Sequence, residues 1–432
     1  MSRPTNPLVE VEHQVQQRAQ AEALDVAAPE GAERLQTLVV EEVERWRDDF
    51  RRGRRPYDLP DGDVVAERAL RNLTGHGPLA PLLADDDVWE VMVNAPDAIF
   101  VKRHLGDDGY HDEVFHDDEH VLRTLTKIVD DATGAHRKLD PAEGLQDAQL
   151  DDGARLHIVH RDLARGGHVM VNIRKFTGVA FRSLDELVER GSLDAEVADF
   201  LRAAVRARLS IVFAGVPGAG KTTLLSCCAA ELDPSLRVVV AEEVFEVDVP
   251  LPNVASMQTR PARAERPAVD LRRLVAGFLR MAPDVAIVGE VRDREALPLL
   301  LTLSSGVAGY TTIHAGSARQ ALTRLRFICQ LSDTSSDLPL SALNTLVSEA
   351  VDVVVHCERG PDGPRVSEVI AVEDLTAGPE ASHLTVTPLF ARPPGSEALR
   401  WSGLLPVRAG EALATAGFAG HDAQRSSAGG PR

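Results

Sequence analysis

Gly215-Val216-Pro217-Gly218-Ala219-Gly220-Lys221-Thr222-Thr223 is the stretch whose reading decides the fold. It fits the phosphate-loop pattern G-x-x-x-x-G-K-S/T, and its neighbours supply the context that pattern requires. Ser210-Ile211-Val212-Phe213-Ala214 before it is apolar and β-branched and reads as a buried strand; Thr223 to Ala230 after it reads as the start of a helix. In such a unit, glycines let backbone N–H groups converge on an anion, and the helix N-terminus adds its dipole. All nine residues, Gly215 to Thr223, are therefore expected to line the phosphates of a nucleotide. Lys221 is expected to reach the β- and γ-phosphates, and the Thr222 hydroxyl to bind Mg2+. Pro217 stiffens the loop and gives up one donor, at a position where the pattern tolerates any residue.

Beyond the loop, strand-like runs recur at Arg237 to Ala241, Val285 to Gly289, Tyr310 to Ile313 and Val351 to His356, with helical segments between several of them. This predicts an α/β core with a largely parallel sheet. Val366 to Val372 and Leu384 to Phe390 resemble a terminal strand pair. In a parallel α/β sheet the carboxyl ends of strands meet the ligand. Glu290, at the end of Val285-Ala286-Ile287-Val288, is thus expected near the γ-phosphate, where it orients or deprotonates water. The competing reading is a helix-capping carboxylate, or one paired with Arg292. Glu242-Glu243, with Glu246 close behind, ends a neighbouring strand and suits a water-mediated Mg2+ contact; simple solvation is the alternative. Of the three, Glu243 is assigned to the metal and to catalysis. His314 ends a third strand and is expected either as a sensor or relay, or as a structural hydrogen-bonding residue.

Towards the N-terminus, Ser192 is expected to cap a helix with Val197, Leu201, Val205 and Leu209 one turn apart. That helix opens an ATPase-type domain over 192–392, joined through a polar connector at 176–191. Residues 63–175 mix helices (Val64 to Leu73, Val121 to Ala132) with strands (Trp89 to Val93, Ala98 to Val101, Gly167 to Ile173), which suggests an α+β domain. His104, His111, His116 and His120 match no metal spacing and are read as surface residues. Residues 1–62 form a helical extension. Its first thirty residues read as a loose helix or tail, and Glu33 to Arg51 as a helix with an apolar stripe. Arg51-Arg52-Gly53-Arg54-Arg55-Pro56 reads as a solvated loop. The stretch 393–432 is expected to be a largely disordered tail, ending in Arg425 to Pro431.

The 432 residues are 44% hydrophobic and 26% charged, the balance of a globular chain of two or three domains. A formal net charge of −19 argues against broad nucleic-acid binding, which needs a basic face. Cys227, Cys228, Cys329 and Cys357 show no ligand spacing and read as reduced core thiols of a cytosolic protein. Neither a signal-peptide core at Met1 nor an apolar run of membrane-spanning length is evident, so a soluble protein is expected, one able to dock on a membrane complex.

Taken together, the motifs resemble the bacterial secretion ATPases of type II secretion, type IV pili and type IV secretion, and most closely their CpaF/TadA branch, which assembles Flp/Tad pili. Four boxes carry the resemblance: Gly215 to Thr223; Ala241-Glu242-Glu243-Val244-Phe245-Glu246; Leu279 to Asp284 running on to Val288-Gly289-Glu290-Val291-Arg292-Asp293; and Gly309-Tyr310-Thr311-Thr312-Ile313-His314-Ala315. Gly77-Pro78-Leu79, Glu90 to Asn94, Asp152-Gly153-Ala154-Arg155 and Ile173-Arg174-Lys175-Phe176 extend it over roughly residues 70 to 375. The resemblance implies a RecA-like P-loop ATPase core with a smaller α+β N-terminal domain and a helical N-terminal extension. It also implies a hexameric ring with ATP and Mg2+ between subunits, at the cytoplasmic face of the inner membrane beneath a polytopic platform protein. By motif position Arg155 and Arg174 would then reach a phosphate, in trans or across the domain cleft, and stabilise phosphoryl charge; the residues alone favour surface salt bridges. The sequence departs from the family's pattern at Glu243, Val307, Gln149 and Ala282. These changes leave the hydrolytic core intact; Val307 and Gln149 motivate, as the alternative to a motor, a nucleotide-gated scaffold that rarely hydrolyses. A conjugal-transfer system is a second alternative, and a helicase is disfavoured by the acid excess.

Overall fold

The computed structural model describes residues 6–131, 139–175, 181–331, 338–374, 384–392 and 398–418, apart from 27, 60, 105, 140, 141, 143, 151, 152, 261, 263–266, 361 and 362. The chain divides into two units, Met1–Thr177 and Gly178–Arg432. Ala132, Asp152, residues 176–180 of the expected connector, and residues 393–397 and 419–432 of the expected tail lie outside the described residues.

In the first unit, strands β1 (Val88–Ala95), β2 (Ala98–Arg103), β3 (Gly109–Tyr110), β4 (Leu145–Gln149), β5 (Arg155–Val159) and β6 (Met170–Arg174) form an antiparallel sheet in the order β3-β2-β1-β6-β5-β4. Alternate residues Val91, Val93, Leu156, Ile158, Val171 and Ile173 turn inward, as a sheet with one covered face requires. Val121, Leu125 and Ile128 of the helix Asp118–Asp131 complete that core.

Of the two readings of the start of the N-terminal extension, loose helix or tail, the structure shows a helix, Pro7–Ala21, capped by the Asn6 side chain. Val11 and Val15 are fully buried against Leu38, Val39 and Trp46 of the helix Pro29–Arg51 and Ala69 of the helix Gly62–Thr74. Nor is the whole basic cluster solvated: the Arg55 guanidinium lies 3.5 Å from the centre of the Trp46 ring and 2.8 Å from Glu10. His120 is buried and His116 half-buried, while His104 is exposed and His111 half-buried, so the four histidines are not one surface set.

In the second unit, strands β7 (Ile211–Gly215), β8 (Val238–Glu242), β9 (Val254–Gln258), β10 (Val285–Val288), β11 (Ala308–Ile313), β12 (Val353–Gly360), β13 (Gly363–Val372), β14 (Val386–Ala391) and β15 (Arg400–Trp401) form one sheet in the order β15-β14-β13-β12-β7-β11-β10-β8-β9. From β12 to β9 all pairings are parallel; β13, β14 and β15 extend the sheet antiparallel. Every residue of β7, β8, β10 and β11 is buried, which explains their unbroken apolar runs: helices cover both faces. This is a RecA-like α/β core. Register sets Ala214 beside Ile313, Thr311 beside Val288, and Val288 beside Ala241, so the carboxyl ends of four adjacent strands form one edge.

Three local expectations are corrected. The helix Ala195–Arg206 begins after Asp194, not Ser192. Within the connector, Leu184–Glu189 is a helix capped by Ser183, with Leu184 and Leu187 in the core. Residues 398–418 of the expected tail are folded: β15 pairs with β14, and Arg408 holds the segment down through an ion pair with Asp352 at 2.6 Å and a bond to the Val351 carbonyl at 2.8 Å. Phe418 packs edge-on against Phe200 (5.3 Å between ring centres) and Trp401 (6.0 Å). Phe418→Ala is therefore expected to destabilise the second unit by about 3 kcal/mol, the cost of emptying an aromatic core position. Denaturant unfolding with a midpoint unchanged from wild type would mean that the segment packs there without contributing.

Candidate nucleotide-phosphate site

The phosphate loop joins β7 to the helix Lys221–Ala230. Gly215 has φ +153°, and a β-carbon there would stand 2.3 Å from the Cys357 carbonyl oxygen of β12, so only glycine fits. Gly218 (φ +74°) and Gly220 (φ +79°) are left-handed, which turns the loop sharply into the helix. A β-carbon on Gly220 would press on Pro364 of β13 at 2.9 Å. The helix has no side-chain cap, and its first N–H groups have no intrahelical acceptor, so they and the dipole are available to an anion.

Lys221 is buried, with Nζ donating to the Val216 carbonyl at 3.0 Å. Nζ also lies 3.2 Å from Nδ1 of His314, which follows β11. Strand order explains the meeting. β11 lies between β7 and β10, so the residue after β11 stands between the lysine and the acid that follows β10. His314 Nε2 is 2.8 Å from Oε1 of Glu290, whose Oε2 accepts from Arg292 Nη2 at 2.6 Å. Arg292 Nη1 in turn donates to Glu243 at 2.8 Å. Lys221, His314, Glu290, Arg292 and Glu243 thus form one chain of contacts across the edge of β7, β11, β10 and β8. His314 Nδ1 also lies 3.2 Å from the Gly215 carbonyl oxygen, so the ring faces the loop backbone as well as the lysine.

Burial alone would push the Glu290 carboxyl up; bonds from His314 and Arg292 outweigh it and hold the pKa at about 2. Glu290 is therefore ionised at every physiological pH. Such a carboxylate accepts hydrogen bonds well and takes up a proton poorly, which suits orienting water more than deprotonating it. Arg292 is shifted upward, first by its bond to Glu290.

The structure also separates the acidic residues after β8. Glu242 is buried and accepts from the Glu246 and Val247 N–H groups at 2.9 and 3.0 Å, which fixes the turn. A β-carbon on Gly289 would meet its carboxylate at 2.9 Å. Glu243 is exposed and engaged by Arg292. Among the described residues no group of three or more His, Cys, Asp or Glu side chains could hold a metal alone. A cation here would share its ligands with phosphate oxygens, beside the half-buried Thr222. The cradle that a β-carbon would fill, the helix N-terminus and the buried lysine together fit a nucleotide's phosphates.

Arg155 and Arg174 belong to the first unit. They are direct partners across β5 and β6, with Glu90 of β1 opposite Arg174. Cross-strand partners share a sheet face, so the structure brings the two arginines together there. The four cysteines are buried free thiols. The residue whose role sequence reasoning underrated is Arg292, weighed only as an ion-pair partner that would leave Glu290 without a role; its signal was its place two residues after that acid.

A family model described as "Type II/IV secretion system protein" matches residues 72–373. A putative conjugal transfer protein of Mycobacterium tuberculosis is 34% identical over 327 residues, covering 73% of this chain and 89% of that protein. The type IV secretion system protein PtlH of Bordetella pertussis is 32% identical over 308 residues, covering 65% of this chain and 88% of that protein. Among solved structures, the VirB11 ATPase of the Brucella suis type IV secretion system, in complex with sulphate, is 28% identical with a TM-score of 0.36, covering 68% of this chain and 94% of that one.

Proposed function

The chain belongs to the type II/IV secretion system protein family, and from that membership we propose a cytoplasmic ring motor that hydrolyses ATP to drive pilus assembly or protein secretion. The single observation that supports it best is the contact chain Lys221–His314–Glu290, which puts a phosphate-binding cation and an ionised carboxylate at one sheet edge. In this reading Lys221 and the loop N–H groups hold the β- and γ-phosphates, and Glu290 orients the attacking water. Thr222, with Glu243 through water, would hold Mg2+, which neutralises phosphate charge when bound. Arg155 and Arg174 reach the phosphates of a neighbouring subunit in a ring of six. Among the described residues no helix is long and apolar enough to cross a membrane. In this reading the motor acts on a polytopic platform protein of the inner membrane.

Within the family, the CpaF/TadA-type role in Flp pilus assembly is the reading the motifs favour. Two relatives, a conjugal transfer protein and a type IV secretion system protein, favour a conjugation or secretion apparatus as the second. A nucleotide-gated scaffold is the third, favoured by Val307 and Gln149.

The motor and the scaffold part on one experiment. Purified full-length protein with ATP and Mg2+ is expected to form rings and turn over ATP at about 1 per second or faster once its platform partner is added. Assembled rings with negligible turnover, partner included, would favour the scaffold. Stimulation by DNA would revive the helicase reading.

A further inference from the structure

We propose that Thr312 is a positioning residue for Glu290, fastening the chain on either side of that acid. The inference rests on the reading of Glu290 as the group that orients the attacking water. Thr312 Oγ1 donates to the Gly289 carbonyl at 2.8 Å, and the Val291 N–H donates to the Thr312 carbonyl at 2.9 Å. Gly289 and Val291 flank Glu290. One residue of β11 therefore holds both peptide groups that carry the Cα of the acid, the first through its side chain and the second through its backbone.

Glu290 needs such a hold because of where β10 stops. The register of β10 against β11 ends with Val288 beside Thr311. Glu290 lies two residues further on, where strand pairing no longer fixes its place. On the β8 side the Gly289 N–H still donates to the Ala241 carbonyl, at 3.1 Å. Thr312 supplies the matching hold from the β11 side. It is 1% exposed, and a hydroxyl that deep must find an acceptor. The acceptor it takes is the carbonyl immediately before Glu290. Thr311 is buried as well, yet its Oγ1 comes only within 3.5 Å of the Thr312 carbonyl, so the two threonines are not interchangeable.

The far end of the same segment is held by other means. Buried Glu295 accepts from the N–H groups of Arg292 at 2.5 Å and Asp293 at 2.9 Å, which fixes Arg292 independently of Thr312. Arg292 and His314 then meet the carboxylate end of Glu290, while Thr312 holds its backbone end. With the backbone end released, the carboxylate follows its side-chain partners and leaves the line of attack. A misplacement of about 1 Å in a group that orients a reactant costs about 100-fold in rate.

The test is ATPase kinetics of the full chain, steady-state and single-turnover. Thr312→Val swaps the hydroxyl for a methyl of similar size. It is expected to lower kcat by about 10- to 100-fold and to leave KM for ATP within about twofold, because Lys221 and the phosphate loop are untouched. Thr312→Ser returns the hydroxyl and is expected to recover about half of the wild-type kcat or more. The deciding measurement is Thr312→Val combined with Glu290→Gln. A residue that acts through Glu290 has little left to lose there, so the pair should turn over within about threefold of Glu290→Gln alone. Wild-type turnover in Thr312→Val overturns the proposal, and so does a full second loss in the double variant. Should the valine variant fail to fold, Thr312→Ala set against Thr312→Ser makes the same comparison. Undiminished turnover in Glu290→Gln would instead sink the reading of the site, and the role of Thr312 with it.

Discussion

Lys221→Ala is expected to reduce ATP turnover by about 1,000-fold or more and to leave the fold intact. Both halves follow from the site. A positive group placed on the transferring phosphoryl stabilises charge that develops only in the transition state, and such donors are worth about 100- to 1,000-fold each. Lys221 also holds its place through Val216 and His314, so its loss removes a partner from the relay to Glu290 as well as a phosphate ligand. The fold is spared because Lys221 opens the helix Lys221–Ala230, where alanine is the best helix former. Removing a buried cation also relieves its desolvation cost. The check is steady-state ATPase beside thermal unfolding of the same preparation. Unimpaired turnover at wild-type Tm would refute the assignment of the phosphate loop; lost turnover with lost folding would call for Lys221→Met, which keeps the stem.

The sequence allowed a reading of this site because its parts are local. Strand, glycine loop and helix lie within twenty residues, and Glu290 and His314 each end an apolar run that can only be a buried strand. What it could not show was how the three ends meet, since that depends on β11 lying between β7 and β10. The choice between Glu242 and Glu243 was closed to it for a related reason: side chains alternate along a strand, and only the register of β8 says which carboxylate turns inward. β4 and β5 escaped because Leu145-Gln146-Asp147-Ala148-Gln149 and Arg155-Leu156-His157 carry few β-branched residues; their pairing partners make them strands, not their own propensity. Val254–Gln258 is half-buried on the sheet edge and equally weak as a pattern. The ordered C-terminal segment was missed because its contacts are distant. Phe418 meets Phe200, and Leu399 donates to Asp194, across more than two hundred residues of chain. His120 was read as a surface residue from its aspartate neighbours, but on a helix its depth is set by turns, not by adjacency.

Glu290→Gln is expected to lower turnover by about 100- to 10,000-fold while ATP still binds, the range for losing a group that positions or activates water. The geometry makes the loss sharper than removal of a charge alone. Glu290 Oε2 accepts from Arg292 Nη2 at 2.6 Å, and Oε1 lies 2.8 Å from His314 Nε2. An amide presents one oxygen and one NH2 group, so one of these contacts becomes donor against donor. Binding should persist because Lys221 and the loop are untouched, which distinguishes this variant from Lys221→Ala.

Arg292→Gln then tests how Glu290 is held. With both partners present its pKa is about 2, so its protonation imposes no acid limb on activity near neutrality. Burial pulls the other way and is the largest single influence on it. Without Arg292 the carboxyl should rise, and because the ionised form is the active one, activity should be lost as pH falls through the raised value. An acid limb of kcat/KM is thus expected to move up toward the measurable range, with a larger loss at about pH 4 than at about pH 8. An equal loss at every pH would mean that Arg292 places the carboxylate without setting its charge, and the electrostatic role would pass to His314.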